Sequence, residues 1–578
     1  MKLLVLPPHR DLTLAPDGPE GWEVVDVARD FFRRVLAPEA LAREAEARED
    51  GPATAQTMRE LLLLRAAQAL LERGSGDAHA SLRAWGAVLK ALSGPPSGVR
   101  LELDGLELEG GTTERSADVL RVAGRPAPYT EELALASERI VQAERVRLWL
   151  EGASQLPAAV WLARVCPATV ALELAGPFAT AHRKVLSRMS AFHRASFPED
   201  VSPLRWRVVP LEAEPGPESL VWLPAWMGLE VHAPPPPSEG PQMDFMSLER
   251  EGPYPRGAPG RRPGQILGEA FAADVRAFTG GAPWAGHVGF MSLYAPEALV
   301  ESGCRVAIVG FCTLGEGHVR DLDGWGHSLG PRGALDAHLQ RLREAGVRVV
   351  AEWWVGAPRV DEAVLEETLR RLEAEPLFDW VAGVHPFQAG AGRTPRDYRG
   401  WYLDWGDPPA DHDLARTRRF EAPGTVPPAR LPEVLESLDG RLHRHRLSSP
   451  GRVAGAYLHI PPSREPVPAP PPQVEAPEMP GGAPPPEPPR PSRVRLEQDC
   501  AVVRLPASLE GVPGEAWYVA NLRTGRSLAV EAWLAPLLEA LRGFTPVEEA
   551  FAGVPEPRRA SLVDTLVGES TLEPRFKT

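Results

Sequence analysis

Cysteine is scarce in this chain, with four residues among 578. Cys304 and Cys312 flank one predicted strand, whereas Cys166 and Cys500 fall in other predicted domains. A thiolate-held iron–sulfur cluster needs several cysteines within one small volume, commonly supplied by one loop. A disulfide framework needs paired cysteines in an oxidising compartment. The cysteine positions therefore argue against both, and we expect four reduced, buried thiols and no iron–sulfur cluster.

Long apolar runs and excess positive charge are also missing. The sequence has no apolar window of about 18 residues, so no transmembrane helix is predicted. The net charge is −15, which argues against a general binder of nucleic acids or membrane surfaces. The opening sequence MKLLVLPPHRDL lacks the pattern of a signal peptide and predicts a first strand. We therefore expect a cytoplasmic protein.

Proline, in contrast, is abundant and concentrated in one segment. Residues Pro461–Pro491 contain 15 prolines among 31 residues. A segment of this composition cannot bury a core and behaves as an extended, semi-rigid tether. It predicts a boundary between separately folded parts, so the residues that follow it are expected to form a domain of their own.

Residues 303–386 carry the clearest pattern of secondary structure. The runs Val306–Val309 and Val347–Val355 are short, rich in β-branched residues and bounded by Gly and Pro, which is typical of buried parallel strands. Leucines recur at helical spacing between and after these runs, at Leu335, Leu339, Leu342, Leu365, Leu369 and Leu372. This alternation predicts an α/β fold with a parallel sheet.

Two strand ends in this region resemble the second half of a radical SAM partial barrel. In that family, positions like Val309-Gly310-Phe311 and Val355-Gly356-Ala357-Pro358 flank the SAM nucleoside. Further along, Pro423-Gly424-Thr425 resembles the phrase that often closes the barrel. The resemblance implies SAM as a candidate cofactor. The predicted cofactor-binding residues are Gly310, Glu316, Gly356 and Pro358.

The cluster ligands of that family have no counterpart here. Radical SAM enzymes usually hold their cluster with a Cys-x3-Cys-x2-Cys motif, but the corresponding loop, Glu249–Gln265, contains no thiol. Upstream, Leu3–Pro8 and Trp22–Val27 are similar to strands of the cobalamin-binding-type Rossmann domain that precedes many such barrels. Cobalamin is therefore a second candidate cofactor. The resemblance implies a barrel that has lost its cluster.

Histidines offer an alternative set of ligands. Glu316, His318 and His385 follow predicted strands and could in principle hold a single metal ion. However, no pair shows the helical or hairpin spacing of a metal site. We therefore predict structural histidines and no metal site.

The C-terminal residues show three short phrases with a common resemblance. The phrases are Asn-x-x-Thr-Gly from Asn521, Leu-x-x-Leu-x-x-Phe-Thr-x-x-Glu from Leu538, and a closing Leu-Glu at Leu572. Together with small strands followed by helices, they resemble the winged-helix-like, PqqD-like domain of ribosomal peptide (RiPP) maturation systems. In that family a leader peptide adds as a strand to the sheet edge. The predicted peptide-binding residues are Val502, Leu505, Trp517, Val519, Leu528 and Trp533.

These resemblances divide the chain into four predicted parts. The parts are a Rossmann-like domain at 1–235, a degenerate radical-SAM-like partial (β/α) barrel at 236–460, a proline-rich linker at 461–493 and a PqqD-like α+β domain at 494–578.

Three functional hypotheses follow from the sequence. The first is a cluster-free radical-SAM-like protein of RiPP maturation that binds a precursor leader peptide, alone or with a catalytic maturation enzyme. The second is an active SAM- or cobalamin-dependent enzyme that modifies the precursor without a conventional iron–sulfur cluster. The third is a regulatory or scaffold protein with an unrelated ligand. The sequence leaves open whether the protein is an enzyme.

Overall fold

A computed structural model describes most of the chain in three ranges, 1–223, 275–441 and 490–576. Each range contains gaps, the longer of which are 74–77, 94–97, 199–203, 210–213, 289–292, 321–325, 329–333, 391–403 and 506–515. Several sequence predictions lie outside the described residues. These are Glu316, Pro358, the side chain of His318, the loop 249–265 and most of the linker 461–493.

The described residues alternate between strands and helices along the chain. The strands are β1 Lys2–Leu6, β2 Leu14–Pro16, β3 Glu23–Asp26, β4 Val99–Leu101, β5 Leu106–Leu108, β6 Arg145–Trp149, β7 Ala171–Ala175, β8 Trp206–Val208, β9 Leu220–Leu223, β10 Trp284–His287, β11 Cys304–Phe311, β12 Thr313–Gly315, β13 His318–Arg320, β14 Gly326–Ser328, β15 Arg348–Val355, β16 Trp380–Pro386, β17 Ala389–Gly390, β18 Asp404–Gly406, β19 Thr417–Glu421, β20 Arg493–Leu496, β21 Cys500–Leu505, β22 Ala516–Asn521, β23 Arg526–Val530, β24 Thr545–Pro546 and β25 Leu572–Arg575. The α-helices are α1 Val27–Val35, α2 Pro38–Glu49, α3 Ala55–Glu72, α4 Ala78–Leu92, α5 Ser116–Val122, α6 Thr130–Val141, α7 Leu156–Val165, α8 Pro177–Ala181, α9 Arg183–Leu186, α10 Pro296–Glu301, α11 Ala334–Glu344, α12 Glu362–Ala374, α13 Leu431–Arg441, α14 Ala535–Ala540, α15 Val547–Ala550 and α16 Glu556–Gly568. Within these described parts, no helix is long and apolar enough to cross a membrane.

The chain forms two compact units. Unit 1 contains residues 1–33 and 93–470, and unit 2 contains residues 34–92 and 471–578. This division differs from the predicted order of domains, because helices α2, α3 and α4 join the C-terminal residues instead of the N-terminal sheet. The predicted boundaries at 235 and 460 lie outside the described residues. The domain identities given by resemblance stay predictions.

Unit 1 is an α/β structure built on two main sheets, which agrees with the predicted fold class. The smaller sheet has four parallel strands in the order β3-β1-β6-β7. Strand β1 is buried from Leu3 to Leu6, as expected for a strand inside a parallel sheet. The larger sheet has seven strands in the order β16-β15-β11-β10-β9-β8-β2. Strands β9 to β16 in this order run parallel, and β8 and β2 add antiparallel at one edge.

One face of the larger sheet packs on helices α11 and α12. The predicted helical leucines are confirmed here, since Leu339 and Leu369 lie in the same buried core as the strand residues Val309, Trp353 and Val355. Because side chains alternate along a strand, the residues between these, such as Glu352, point to the opposite face. The periodicity of the sequence therefore determines which strand residues the helices cover, and which remain for the other face.

Unit 2 contains a three-stranded antiparallel sheet, β21-β22-β23, beside a second small sheet, β24-β20-β25. Val502 and Val519 belong to a core that includes Leu538 and Phe551 from the C-terminal helices. Helix α3 contacts β21 and β22. The sheet is therefore covered by C-terminal helices on one face, and α3 contacts two of its three strands, β21 and β22.

Candidate functional site

Gly356, in the strand-end motif predicted to flank SAM, contacts Thr425 of the motif predicted to close the barrel. Gly356 follows β15 with a φ of +93°, a conformation that favours glycine, and an added Cβ there would lie 3.3 Å from Leu431. The Thr425 hydroxyl lies 3.0 Å from both the Gly356 and the Ala357 carbonyl oxygens, to which it can donate. The two phrases that carried the barrel resemblance are thus in contact.

Gly310 occupies a different position from Gly356. It lies inside β11, where it is buried and pairs in register with Glu352 of β15. On the other side of β15, Glu352 pairs with Gly383 of β16. We call these three aligned residues the Glu352 row. Of the predicted cofactor-binding residues, the structure describes Gly310, which lies inside β11, and Gly356, which lies in the turn after β15.

Glu352 is the functional candidate that the sequence reasoning missed. Its side chain is 2% exposed, which is rare for a carboxylate. One register step along the same face, Trp354 pairs with His385. Their rings lie 5.0 Å apart between centroids, with an interplanar angle of 35°. A signal was present in the sequence, since Glu352 interrupts the otherwise apolar residues 349–355.

His385 is placed by the structure beside Trp354, not in a cluster of metal ligands. Its Nε2 atom is buried and has no hydrogen-bond partner among the described residues. Over the same part of the chain, no group of three or more His, Cys, Asp or Glu side chains is arranged to hold a metal ion. The proposed partners Glu316 and His318 cannot be placed, because their side chains lie outside the described residues.

The smaller sheet has a topological switch point between β1 and β6, where ligands bind in many open α/β sheets. The buried side chain of Gln155 occupies this position. Its Oε1 atom accepts from the Glu151 amide at 2.6 Å and lies 3.3 Å from the Gly152 amide, and its Nε2 atom donates to the Pro7 carbonyl at 3.0 Å. The protein's own side chain therefore uses the amides that an anionic ligand would need.

All four cysteines are free and buried. Burial raises the pKa of the Cys166, Cys304 and Cys500 thiols above the ordinary value, and for Cys500 the nearby Glu497 and Asp499 raise the pKa further. Since the thiolate is the nucleophile and the metal ligand, these three thiols are poorly suited to either role.

We expect these thiols to react slowly with iodoacetamide in the native protein and rapidly in denaturant. Their raised pKa in the folded state also predicts a pH dependence of stability. Thiols of the unfolded chain lose their protons near pH ~8.5, whereas the folded protein keeps them protonated to higher pH, so stability that is full below this pH decreases as the pH rises. Urea unfolding midpoints measured between neutral and alkaline pH check this. Rapid native labelling of these cysteines would contradict it.

The predicted peptide-binding residues divide into two groups. Val502, Leu505 and Val519 are buried, with 8%, 0% and 2% exposure, so they are core residues instead of groove residues. Trp517 and Leu528 are half-buried and pack against the same core. Trp533 is 47% exposed and lies three residues after the end of β23.

The two outer strands of the β21-β22-β23 sheet differ in accessibility. All but one of the residues of β21 are buried, and this strand contacts α3. In β23, Arg526, Ser527 and Ala529 are exposed, and in the described part of the chain β23 pairs only with β22. Arg526 lies 3.8 Å from Glu569 just beyond the end of α16, which places this end of β23 beside the helix. Among the described residues, the outer edge of β23 has no strand partner.

Comparisons with known proteins give little further information. No family model matches the chain, and no curated protein matches it. Among solved structures, it is similar to the radical S-adenosylmethionine methyltransferase TsrM from Kitasatospora setae, solved with tryptophan substrate and a SAM analogue bound. The sequences are 12% identical, the match covers 58% of this chain and 89% of that chain, and the TM-score is 0.28. A TM-score of this size does not establish a shared fold.

Proposed function

We propose that the chain binds a leader peptide in ribosomal peptide maturation, by addition of the peptide as a strand to β23. The observation that carries the proposal is the accessible edge of β23, which pairs with β22 on one side alone among the described residues. An unpaired edge offers a row of N–H and C=O groups that another extended chain can pair with. The other outer strand, β21, is buried and is the poorer acceptor.

Backbone pairing alone is too weak to explain useful affinity. Each hydrogen bond contributes about 0.5–1.5 kcal/mol net, and β23 has five residues, of which only alternate ones face outward. Ordering a disordered peptide costs about 2–5 kcal/mol. Side-chain contacts must therefore supply the remainder. Trp533, exposed beside the strand end, is the aromatic side chain best placed to do so.

The half-buried residues of β23 indicate which types of side chain a bound peptide would place next to them. Leu528 and Val530 pack against the core of unit 2 from one face of the strand, and Leu562 of α16 packs against the same core. Ser527 and Ala529 point to the other face and are exposed. An added strand should therefore place apolar residues at alternate positions, on the side of Leu528 and Val530.

The test uses the full-length protein and synthetic, fluorescein-labelled peptides encoded by short reading frames beside the gene. We expect one of them to bind with micromolar affinity, and Trp533→Ala to weaken binding by about 1–3 kcal/mol without changing the unfolding midpoint. Leu135→Ala is the matched control, since Leu135 is an exposed apolar residue of unit 1, at 57% exposure.

Scanning N-methylation of the bound peptide separates strand addition from other modes of binding. Methylation removes an amide N–H, so affinity should fall at every second position of the peptide and remain elsewhere. A uniform loss, or no loss, would show that the peptide does not pair as a strand. Unchanged affinity of the Trp533→Ala variant would remove Trp533 from the site while leaving strand addition open to the methylation result.

A further inference from the structure

A β-hairpin follows the larger sheet of unit 1 in the chain. Strands β18 and β19 pair antiparallel, and β19 also pairs with β17, which begins three residues after β16 ends. We call residues 404–421 the hairpin arm. Because β17 follows the carboxyl end of β16, the arm begins at the end of the sheet where ligands of open α/β folds bind.

The tip of the hairpin arm docks on the N-terminus of helix α5. The Asp413 carboxylate accepts from the Ser116 amide at 2.8 Å and from the Ser116 hydroxyl at 2.6 Å. Arg115, which precedes α5, gives the helix no side-chain cap, so a residue 297 positions away supplies one. A carboxylate also suits the positive end of the helix dipole. We call the contacts between residues 411–414 and 114–116 the clasp.

Further contacts of the clasp surround this cap. The Leu414 amide donates to the Glu114 carbonyl oxygen at 2.8 Å. The Arg115 guanidinium forms an ion pair with Asp411 at 2.6 Å, and Nδ1 of His412 lies 3.0 Å from the Glu114 carboxylate. The clasp therefore joins the hairpin arm to α5 through both backbone and side-chain atoms.

The clasp is polar and mostly exposed, so it is weak in comparison with the sheet that precedes it. The Arg115 and Asp411 side chains are 38% and 57% exposed, and exposed ion pairs contribute little stability. Of residues 409–415, Leu414 alone is buried. By contrast, most residues of β11 and β15 are buried. Parts of a protein with few buried apolar contacts open more readily than its core.

We infer that the clasp opens reversibly while both sheets of unit 1 stay folded, and that its opening gives access to the carboxyl ends of β15 and β16. His385 lies at this end of β16, and its Nε2 atom is buried, so it can report the access. The clasp lies in unit 1 and does not depend on the strand addition proposed for unit 2.

Amide hydrogen exchange of the full-length protein, read by mass spectrometry of peptic peptides, tests the local opening. Residues 411–415 should exchange well before β11 and β15. Asp413→Ala removes the acceptor of both Ser116 donors, so it should speed exchange at 411–415 at least tenfold and leave exchange in β11 and β15 unchanged. The control is Asp361→Ala, which removes an exposed acceptor of the Val364 amide at the start of α12 and should leave 411–415 unchanged.

Modification of histidines by diethyl pyrocarbonate tests the access. His385 should react at least tenfold faster in Asp413→Ala than in the wild-type protein. His193, an exposed histidine whose ring contacts the Ser190 carbonyl oxygen, should react equally in both and serves as the internal reference.

A second variant guards against misfolding of Asp413→Ala. Ser116→Ala removes the hydroxyl donor and keeps the amide, so it should speed exchange at 411–415 by a smaller factor. Exchange of 411–415 that occurs only together with β11 and β15 would overturn the inference, since the clasp would then open only when the sheet unfolds. Equal modification of His385 in wild type and in folded Asp413→Ala would overturn it as well.

Discussion

Cleavage of the chain within residues 461–489 is expected to leave a single complex that elutes as one species on gel filtration. The reason is that the C-terminal sheet is completed by helices from residues 34–92. Val503 and Leu505 are 3% and 0% exposed but do not belong to the core that the C-terminal helices form. Full burial of each such side chain contributes about 1.5–3 kcal/mol.

Polar contacts reinforce this packing. The guanidinium of Arg73, at the end of α3, donates to the Cys500 carbonyl at 3.3 Å. Arg83 of α4 forms an ion pair with Asp499, whose side chain is 4% exposed. The tether at 461–493 is thus not the sole connection between residues 494–578 and the rest of the chain. A fragment that begins at 490 should expose an apolar face and should not fold to native stability by itself.

The Val503→Asp variant tests this packing directly. A charge on the face that meets α3 should weaken the association of the cleaved pieces by several kcal/mol, since a buried unpaired ion carries a penalty of that size. Ser561→Asp introduces the same charge at an exposed position of α16 and should leave the complex intact. Two separate species after cleavage of the wild-type protein would contradict the prediction, as would a stable, monomeric fragment 490–578.

The Gly176→Ala variant is expected to destabilise unit 1 severely. Gly176 follows β7 with a φ of +97°, and an added Cβ would lie 2.5 Å from the Leu150 carbonyl oxygen. That carbonyl is fixed, because it accepts a hydrogen bond from the Phe178 amide at 3.1 Å. The backbone conformation alone costs a residue with a side chain about 1–3 kcal/mol, and the clash adds to this.

Thermal unfolding of the full-length protein measures the effect. We expect the unfolding midpoint of unit 1 to fall by about 5 °C or more, at roughly 2–4 °C for each kcal/mol. Gly152→Ala is the matched control in the same part of the fold. Gly152 has a φ of −153° and no atom within 4 Å of the added Cβ, so its variant should unfold near the wild-type midpoint. Equal midpoints for the two variants would contradict the argument.

Part of the candidate site was predictable from local sequence. The runs of β-branched residues predicted β11 and β15, and the glycine after β15 predicted the turn at Gly356. The Glu352 row was not predictable in the same way. The neighbours of Glu352, Gly310 and Gly383, are each more than 30 residues distant, and only the register of three strands aligns them. Register depends on packing across the sheet, which no single segment encodes.

The prediction of the peptide-binding residues was also limited by what local sequence can encode. The resemblance to the PqqD-like domain predicted Val502, Val519 and Trp533 together as peptide-binding residues. The sequence could not show that Val502 and Val519 are core residues and that Trp533 is exposed, because burial depends on which helices cover each face.

The sequence by itself determined the α/β alternation of unit 1, the helical spacing that covers one face of its larger sheet, and the scattering of the four cysteines. These features depend on residues within one strand, helix or turn, so local periodicity and backbone preference are enough. Only the tertiary structure decided that residues 34–92 join the C-terminal sheet. An apolar helix face can stabilise any sheet that lacks a cover, and burial is not directional, so sequence order did not indicate which sheet α3 would meet.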